Sequence, residues 1–402
     1  MKSLFNKLNR KIITFKWFIL FFFIFLFFQL QQFSGFSWDL IVYQLQGQWF
    51  CGNQVYFEWL RPPLPGFINC IFGANNLSVL FSIALASLLY FVAILFTYLK
   101  EKGFSDKFLV AGFSFLFPII LIQSNAGSDL FALSFLLLAF AFDSPLKKGF
   151  FFGLATLARY NFFLYGLILI YKEKPKNLAK LFVPVILLWL PWLFYNYSET
   201  GDAFFSVKES IFLNISQKGL FGSFDLLSII IIIFFLISLA LNKRFEISKK
   251  YNLAAIFASI QFLFSGIKEL RFLNLLVPAQ ALNLSKTTNP NIKKFLSVLI
   301  ILLFMFSIVI LLNYPPSNPI LPEGEFLKEC RVASDNWVYF YPQGIVAEPL
   351  NLGNDLNSLL EKGIVLVVFN ETAFNLPENG AYTILEPEKC EPQKDNFVLK
   401  IN

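Results

Sequence analysis

Residues 77–99 run for the length of a membrane crossing without one charged side chain, and no other feature narrows the possible folds so much. A helix that crosses a hydrocarbon layer needs about 20 apolar residues in succession. Further apolar runs at 17–30, 108–122, 130–142, 149–171, 181–195, 226–241, 253–264, 272–284 and 295–312 follow the same plan. The 402 residues are 56% hydrophobic and 15% charged and include 54 Phe, too much apolar surface for one soluble core. The chain reads as an all-α polytopic membrane protein with roughly 11 membrane helices, counting two half-helices.

The net charge of +7 does not point to nucleic acid, because Lys and Arg fall mainly in short loops, where they act as topology signals. Lys2, Lys7, Arg10, Lys11 and Lys16 precede the first run, and no small-residue cleavage signal follows it. That run is therefore expected to be an uncleaved anchor with its N-terminus cytoplasmic, and residues 37–67 then lie outside, in the interface or in water. Lys100 and Lys102, Lys147 and Lys148, Lys249 and Lys250, and Lys293 and Lys294 mark inner loops. Residues 149–171 break the alternation, because lysines flank both ends. Two half-length helices that dip in and return, turning near Arg159, Tyr160 and Asn161, would resolve it. An arginine at such a turn calls for an anionic partner, in the protein or in a ligand.

Residues 196–224 read as a polar outer loop. Beyond residue 314 the composition becomes that of a small soluble domain, with strands at 331–334, 364–369 and 397–401 and a helix at 356–362. The expected division is a membrane domain, 1–313, and an extracytoplasmic α/β domain, 314–402, in a multi-pass cell-membrane protein.

Residues 37–67 hold Asp39, Tyr43, Glu58 and Arg61 ahead of Pro62-Pro63. Asp39 stands where the chain leaves the first span and is the leading catalytic candidate. The loop-charge count brings Asp39, Asp129, Glu269 and Arg271 to one membrane face without using their chemistry. Asp129 begins an apolar run, where capping free N–H groups is the alternative use of its carboxylate. Lys268, Glu269 and Arg271 can equally form a salt-bridged turn. The absence of His removes imidazole bases, Ser-His-Asp triads and His-ligated metals. Cys51, Cys70, Cys330 and Cys390 fall on or near the outer side, where an oxidising compartment permits pairs such as Cys330–Cys390.

The order of these pieces resembles the GT-C glycosyltransferases. A first span is followed by Trp38-Asp39, Tyr43 one helical turn later, Gly47, and Glu58-Trp59-Leu60-Arg61-Pro62-Pro63-Leu64; then come SNAGSDLFALSFLLLAFAF, GLATLARYNFF, LPWLFYNY and IKELRFLNLLVP. The chain is most similar over residues 18–312 to the branch that includes protein O-mannosyltransferases and lipid A aminoarabinose transferases. The resemblance implies a hexosyltransferase that moves a sugar, with inversion, from a polyprenyl-phosphate donor such as dolichyl phosphate mannose to a protein, lipid or glycan acceptor hydroxyl at the outer face. It makes Asp39 the general base, with Tyr43, Glu58, Asp129 and Glu269 supporting the acceptor and donor. Arg61, Arg159, Lys268 and Arg271 would bind the lipid phosphate.

The chemistry is consistent with that division of labour. A placed carboxylate acting as general base contributes a factor of about 10² to 10⁴. A phosphate leaving group clamped by cations needs no general acid. The sequence departs from relatives in having no D-x-D in the first loop and no second acid beside Asp39. It also has no W-W-D-Y-G signature, the nearest stretch being SDNWVYFYPQG, which argues against an oligosaccharyltransferase acting on asparagine. The implied partners are the lipid-linked donor, membrane lipids and the acceptor, with no nucleic acid. No cofactor is implied, although Asp129, Glu58 and Glu269 leave room for one oxygen-liganded divalent ion. Two other classes stay open: a transporter or flippase for a polyprenyl-linked or anionic lipid, and a non-catalytic scaffold displaying the C-terminal domain.

Overall fold

The computed structural model describes residues 2–31, 38–53, 57–101, 106–123, 128–171, 173–216, 226–241, 249–264, 270–313, 332–334, 340, 345, 347–349, 365–368 and 398–400. The helices among them are α1 (Lys2–Gln31), α2 (Trp38–Phe50), α3 (Pro63–Ile71), α4 (Asn76–Lys100), α5 (Lys107–Leu116), α6 (Asp129–Ala141), α7 (Pro145–Ala158), α8 (Gly166–Ile170), α9 (Pro175–Thr200), α10 (Phe205–Ser216), α11 (Leu226–Leu241), α12 (Lys250–Phe264), α13 (Leu276–Leu284) and α14 (Pro290–Asn313). By length and composition α4, α9 and α14 can each cross a membrane, and shorter apolar helices lie in α1, α5, α6 and α11.

The apolar pattern sorts these helices into a centre and a rim. Every residue of α6 is buried, packed by α4 and α7, as expected for a helix that is apolar all round. The whole of α13 is buried too, against α5, α11 and α12. By contrast α9, α11 and α14 turn Leu187, Phe194, Leu236, Leu302 and Met305 outward. Contiguous apolar surface of this kind suits contact with lipid rather than water.

Side by side, α7 and α9 run in the same direction. Gly149 lies against Leu181, and Gly153 against Val185 and Leu188. Farther along, Trp189 Nε1 donates to Thr156 Oγ1 and Trp192 Nε1 to the Tyr160 hydroxyl, each at 2.9 Å. Two successive helices can run parallel only if the chain between them comes back. It does so at Arg159, where the backbone is extended, through a 3-10 turn at Tyr160–Tyr165 and then α8. With 14 residues, α7 is about 21 Å long, against a hydrocarbon core of about 30 Å. Residues 149–171 are thus two short segments that go out and return, and Lys148 and Glu173 form an ion pair where they begin and end.

Three expectations change. Residues 39–47, read as interfacial or solvated, are buried in α2, where their side-chain amide N–H groups find acceptors inside. Gln44 Nε2 donates to Asn76 Oδ1 at 3.0 Å, and Gln46 Nε2 to the Arg61 carbonyl at 3.4 Å. A Cys51–Cys70 disulfide, Cα to Cα 5.5 Å, ties the end of α2 to α3; Cys330 and Cys390 lie outside the described residues. The expected outer loop at 196–224 is helical as far as Thr200 and again in α10. Asn196 ties the two helices together: its Oδ1 accepts from the Ser206 N–H at 3.1 Å, while its Nδ2 donates back along α9 to the Trp192 carbonyl at 2.8 Å. The run 108–122 is not one helix, because α5 stops at an extended Phe117 ahead of Pro118 and a π-turn, Ile119–Gln123, follows. Proline disfavours helix in the residue before it and has no N–H to donate.

Beyond α14, β1 (Val332–Ser334), β2 (Ala347–Pro349), β3 (Val365–Val368) and β4 (Val398–Lys400) pair in parallel in the order β2-β1-β3-β4. Val332 faces Ala347 on one side and Val365 on the other. β1, β3 and β4 fall in the three stretches that read as strands. β2, with the sequence AEP, carries no strand signal of its own. The helix expected at 356–362 lies outside the described residues.

Candidate active site

The two ends of α6 carry different chemistry. The helix has 13 residues, which sets its ends about 18 Å apart along the axis. Beyond Ala141, Lys100 reaches both the Ala141 carbonyl and Asp143 at 2.5 Å, and Lys249 reaches Glu101 at 2.7 Å. At the start of α6 five separate segments converge. They bring Asp39 from the first turn of α2, Arg61 from just before α3, Asp129 itself, Arg159 from the break after α7, and Arg271 from the 3-10 turn Leu270–Leu273.

Arg61 joins two carboxylates, its Nη1 2.7 Å from Asp39 Oδ1 and its Nε 2.5 Å from Glu58 Oε2. The other Asp39 oxygen takes Arg271. Asp129 pairs with Arg159 through Oδ1, and its Oδ2 lies 3.7 Å from Arg271. Acid and guanidinium therefore alternate along Glu58, Arg61, Asp39, Arg271, Asp129 and Arg159. The Asp39 and Asp129 side chains are only 7% and 5% exposed. Withdrawing an ion from water costs several kcal/mol unless it is paired, so the alternation is what permits this burial. Both Arg159 and Arg271 also lie over the Phe272 ring, 5.4 and 5.8 Å from its centre.

Asp129 is the first helical residue of α6, with Ser128 in the capping position. Its carboxylate faces arginines, which answers the question of whether it is spent as a cap. Tyr43 is buried one turn beyond Asp39 on α2. Burial by itself would raise the pKa of Asp39, but Arg61, Arg271 and Arg159 together overrule it and hold the carboxyl well below the usual carboxylate range. In this arrangement Asp39 is fully ionised and a weak proton acceptor.

Beside Arg271 lies a small, partly open pocket, lined among others by Asp129, Asn161, Phe162, Phe272 and Asn274. Phe272 and Asn274 escape a reading of charged residues, although an asparagine inside the apolar run 272–284 is itself a signal. Lys268 and Glu269 lie outside the described residues. Among the described residues no three Asp, Glu or Cys side chains gather to hold a metal ion, and Glu58 and Asp129 turn their oxygens to guanidiniums instead.

No protein-family model and no curated protein matches the chain. Among solved structures it is similar to the oligosaccharyltransferase of Archaeoglobus fulgidus in the apo form, with 13% sequence identity and a TM-score of 0.48 over 85% of this chain. The chain spans 66% of the length of that protein, just under two thirds.

Proposed function

We propose that the chain is a GT-C-type membrane glycosyltransferase of 11 or so membrane segments, its Asp39 end facing out of the cytoplasm and residues 314–402 forming a small domain on that side. Its reaction is the inverting transfer of a sugar from a polyprenyl-phosphate donor to an acceptor hydroxyl. The observation that carries this reading is the meeting of Asp39 and Asp129 with Arg61, Arg159 and Arg271, drawn from five distant segments into one buried cluster. The motif order over residues 18–312 supports it independently.

The donor phosphate binds Arg159 and Arg271, with Arg61 behind them. An acceptor oxygen attacks the anomeric carbon on the face opposite the phosphate, the carbon–oxygen bond to phosphate breaks, and Asp39 takes the acceptor's proton. Phosphate drawing Arg271 towards itself leaves Asp39 with one fewer cation, which raises its proton affinity. The base is thus strengthened when the donor is seated, and it stays masked when the donor is absent.

The test uses purified full-length protein with a polyprenyl-phosphate hexose and a panel of hydroxyl acceptors. Asp39→Asn should lower transfer by about 10² to 10⁴, while Arg271→Ala weakens carrier binding more than acceptor binding. Transfer that survives Asp39→Asn unchanged discards the base assignment. Carrier binding without transfer to any acceptor favours a lipid transporter or flippase, a reading to which the broken segment at Arg159 also lends itself.

A further inference from the structure

Asn274 stands apart from the charged cluster and is not used by it. The residue is 5% exposed, lines the pocket beside Arg271, and among the described residues neither its Oδ1 nor its Nδ2 has a hydrogen-bond partner. Its backbone is already committed, the N–H to the Arg271 carbonyl at 3.1 Å and the C=O to the Val277 N–H at 3.2 Å. Its side chain does not cap α13. A buried carboxamide in this condition costs stability, because both ends were desolvated with nothing given in return.

We infer that Asn274 recognises the hydroxyl groups of the sugar carried by the donor, an inference that rests on the glycosyltransferase reading above. A carboxamide presents one acceptor and one two-hydrogen donor in a fixed plane, which suits neighbouring hydroxyls that both give and take hydrogen bonds. It does not suit phosphate, which has only acceptors to offer and would be repelled by Oδ1. Arg271, three residues earlier on the same turn, is the group for the phosphate. The two therefore divide the donor: guanidinium for the anion, amide for the neutral sugar. Asn161 on the pocket wall supplies a second amide, and Phe162 and Phe272 supply apolar surface for the C–H faces of a ring.

The experiment measures binding of full-length protein in micelles to polyprenyl-phosphate mannose, polyprenyl-phosphate glucose and sugar-free polyprenyl phosphate. Wild type should prefer at least one sugar-bearing carrier. Asn274→Leu, similar in size but without the amide, should lose about tenfold in affinity for that carrier and keep its affinity for the sugar-free one. Its thermal midpoint should equal or exceed that of wild type, a combination that a merely structural residue would not give. Asn274→Ala is a second variant held to the same comparison. Either variant binding the sugar-bearing carriers as wild type does would overturn the inference, as would a wild type indifferent to the sugar. A wild type that binds none of the three carriers overturns the glycosyltransferase reading itself.

Discussion

The two ends of α6 hold buried or half-buried charge in different ways. At the Asp129 end, guanidiniums bridge carboxylates in a chain from which water is largely excluded. At the Ala141 end, Lys100 meets the Ala141 carbonyl and Asp143, whose side chain is 93% exposed, and Lys249 meets Glu101. The contrast follows from the cations. A guanidinium is weakly hydrated and offers five donors in a flat fork, so it can serve two acids at once in a dry place; an ammonium is compact and strongly hydrated. Lysines suffice to close helix ends and mark a membrane face. Six charges gathered in the interior cost far more, and only their mutual pairing permits it.

The two ends are linked by α7, which starts beside the lysines and delivers Arg159 to the acids. A Cβ on Gly149 would stand 1.9 Å from the Leu181 carbonyl oxygen, a backbone atom. Gly149→Ala should therefore push α7 off α9, lowering stability by at least about 1–3 kcal/mol and weakening carrier binding as Arg159 shifts. Thermal unfolding and carrier titration read both effects. Unchanged values would mean that α7 is not the rigid link. Gly153→Ala should do less, because its new methyl meets the Leu188 side chain, which can turn aside.

A smaller effect is expected from Glu173→Gln, which leaves Lys148, itself 5% exposed, without its acid. The loss should be about 1–3 kcal/mol of stability with carrier affinity untouched. If carrier affinity fell as far as stability did, the two ends would not be doing separate work.

Much of this was legible in the sequence, and the rest was hidden for physical reasons. Lysines on both sides of 149–171 revealed the out-and-back segment, because loop charge reports sidedness even where a run is long enough to cross. The same count put Asp39, Asp129 and Arg271 on one face, and the fold brings all three into one cluster. Charge patterns could not reveal that α2 is buried, since a run with Asp39, Gln44 and Gln46 looks solvated until Arg61, Asn76 and Arg271 arrive from elsewhere. Nor could they single out Cys51 and Cys70 among four cysteines, a choice made by how α2 lies on α3. Asn274 carries no charge, so a count of charged residues passes over it although it interrupts an apolar run.

The finest separation of the two ends is by pH. Lys250, ahead of the apolar run 253–264, is pushed down from 10.5 to about 8, by burial first and then by the neighbouring charge of Lys148, against the opposing pull of Glu173. A lysine whose pKa is lowered on folding carries its penalty in full below the folded value and sheds it as pH rises towards the unfolded one. Stability contributed through Lys250 should therefore increase between about pH 8 and about pH 10.5. Asp39 behaves oppositely: its pKa falls below 3.8 on folding, so its contribution is constant above that value and is lost only in acid. From neutral pH upward the carboxylate end should be silent while the lysine end responds. Thermal midpoints of wild type and Lys250→Met at pH about 7 and about 9.5 read the difference, with the variant relatively better at the lower pH and losing that advantage at the higher. A gap between the two proteins that does not change with pH would place the Lys250 ammonium in water at the folded protein's surface, and the lysine end would then be as solvated as its sequence suggests.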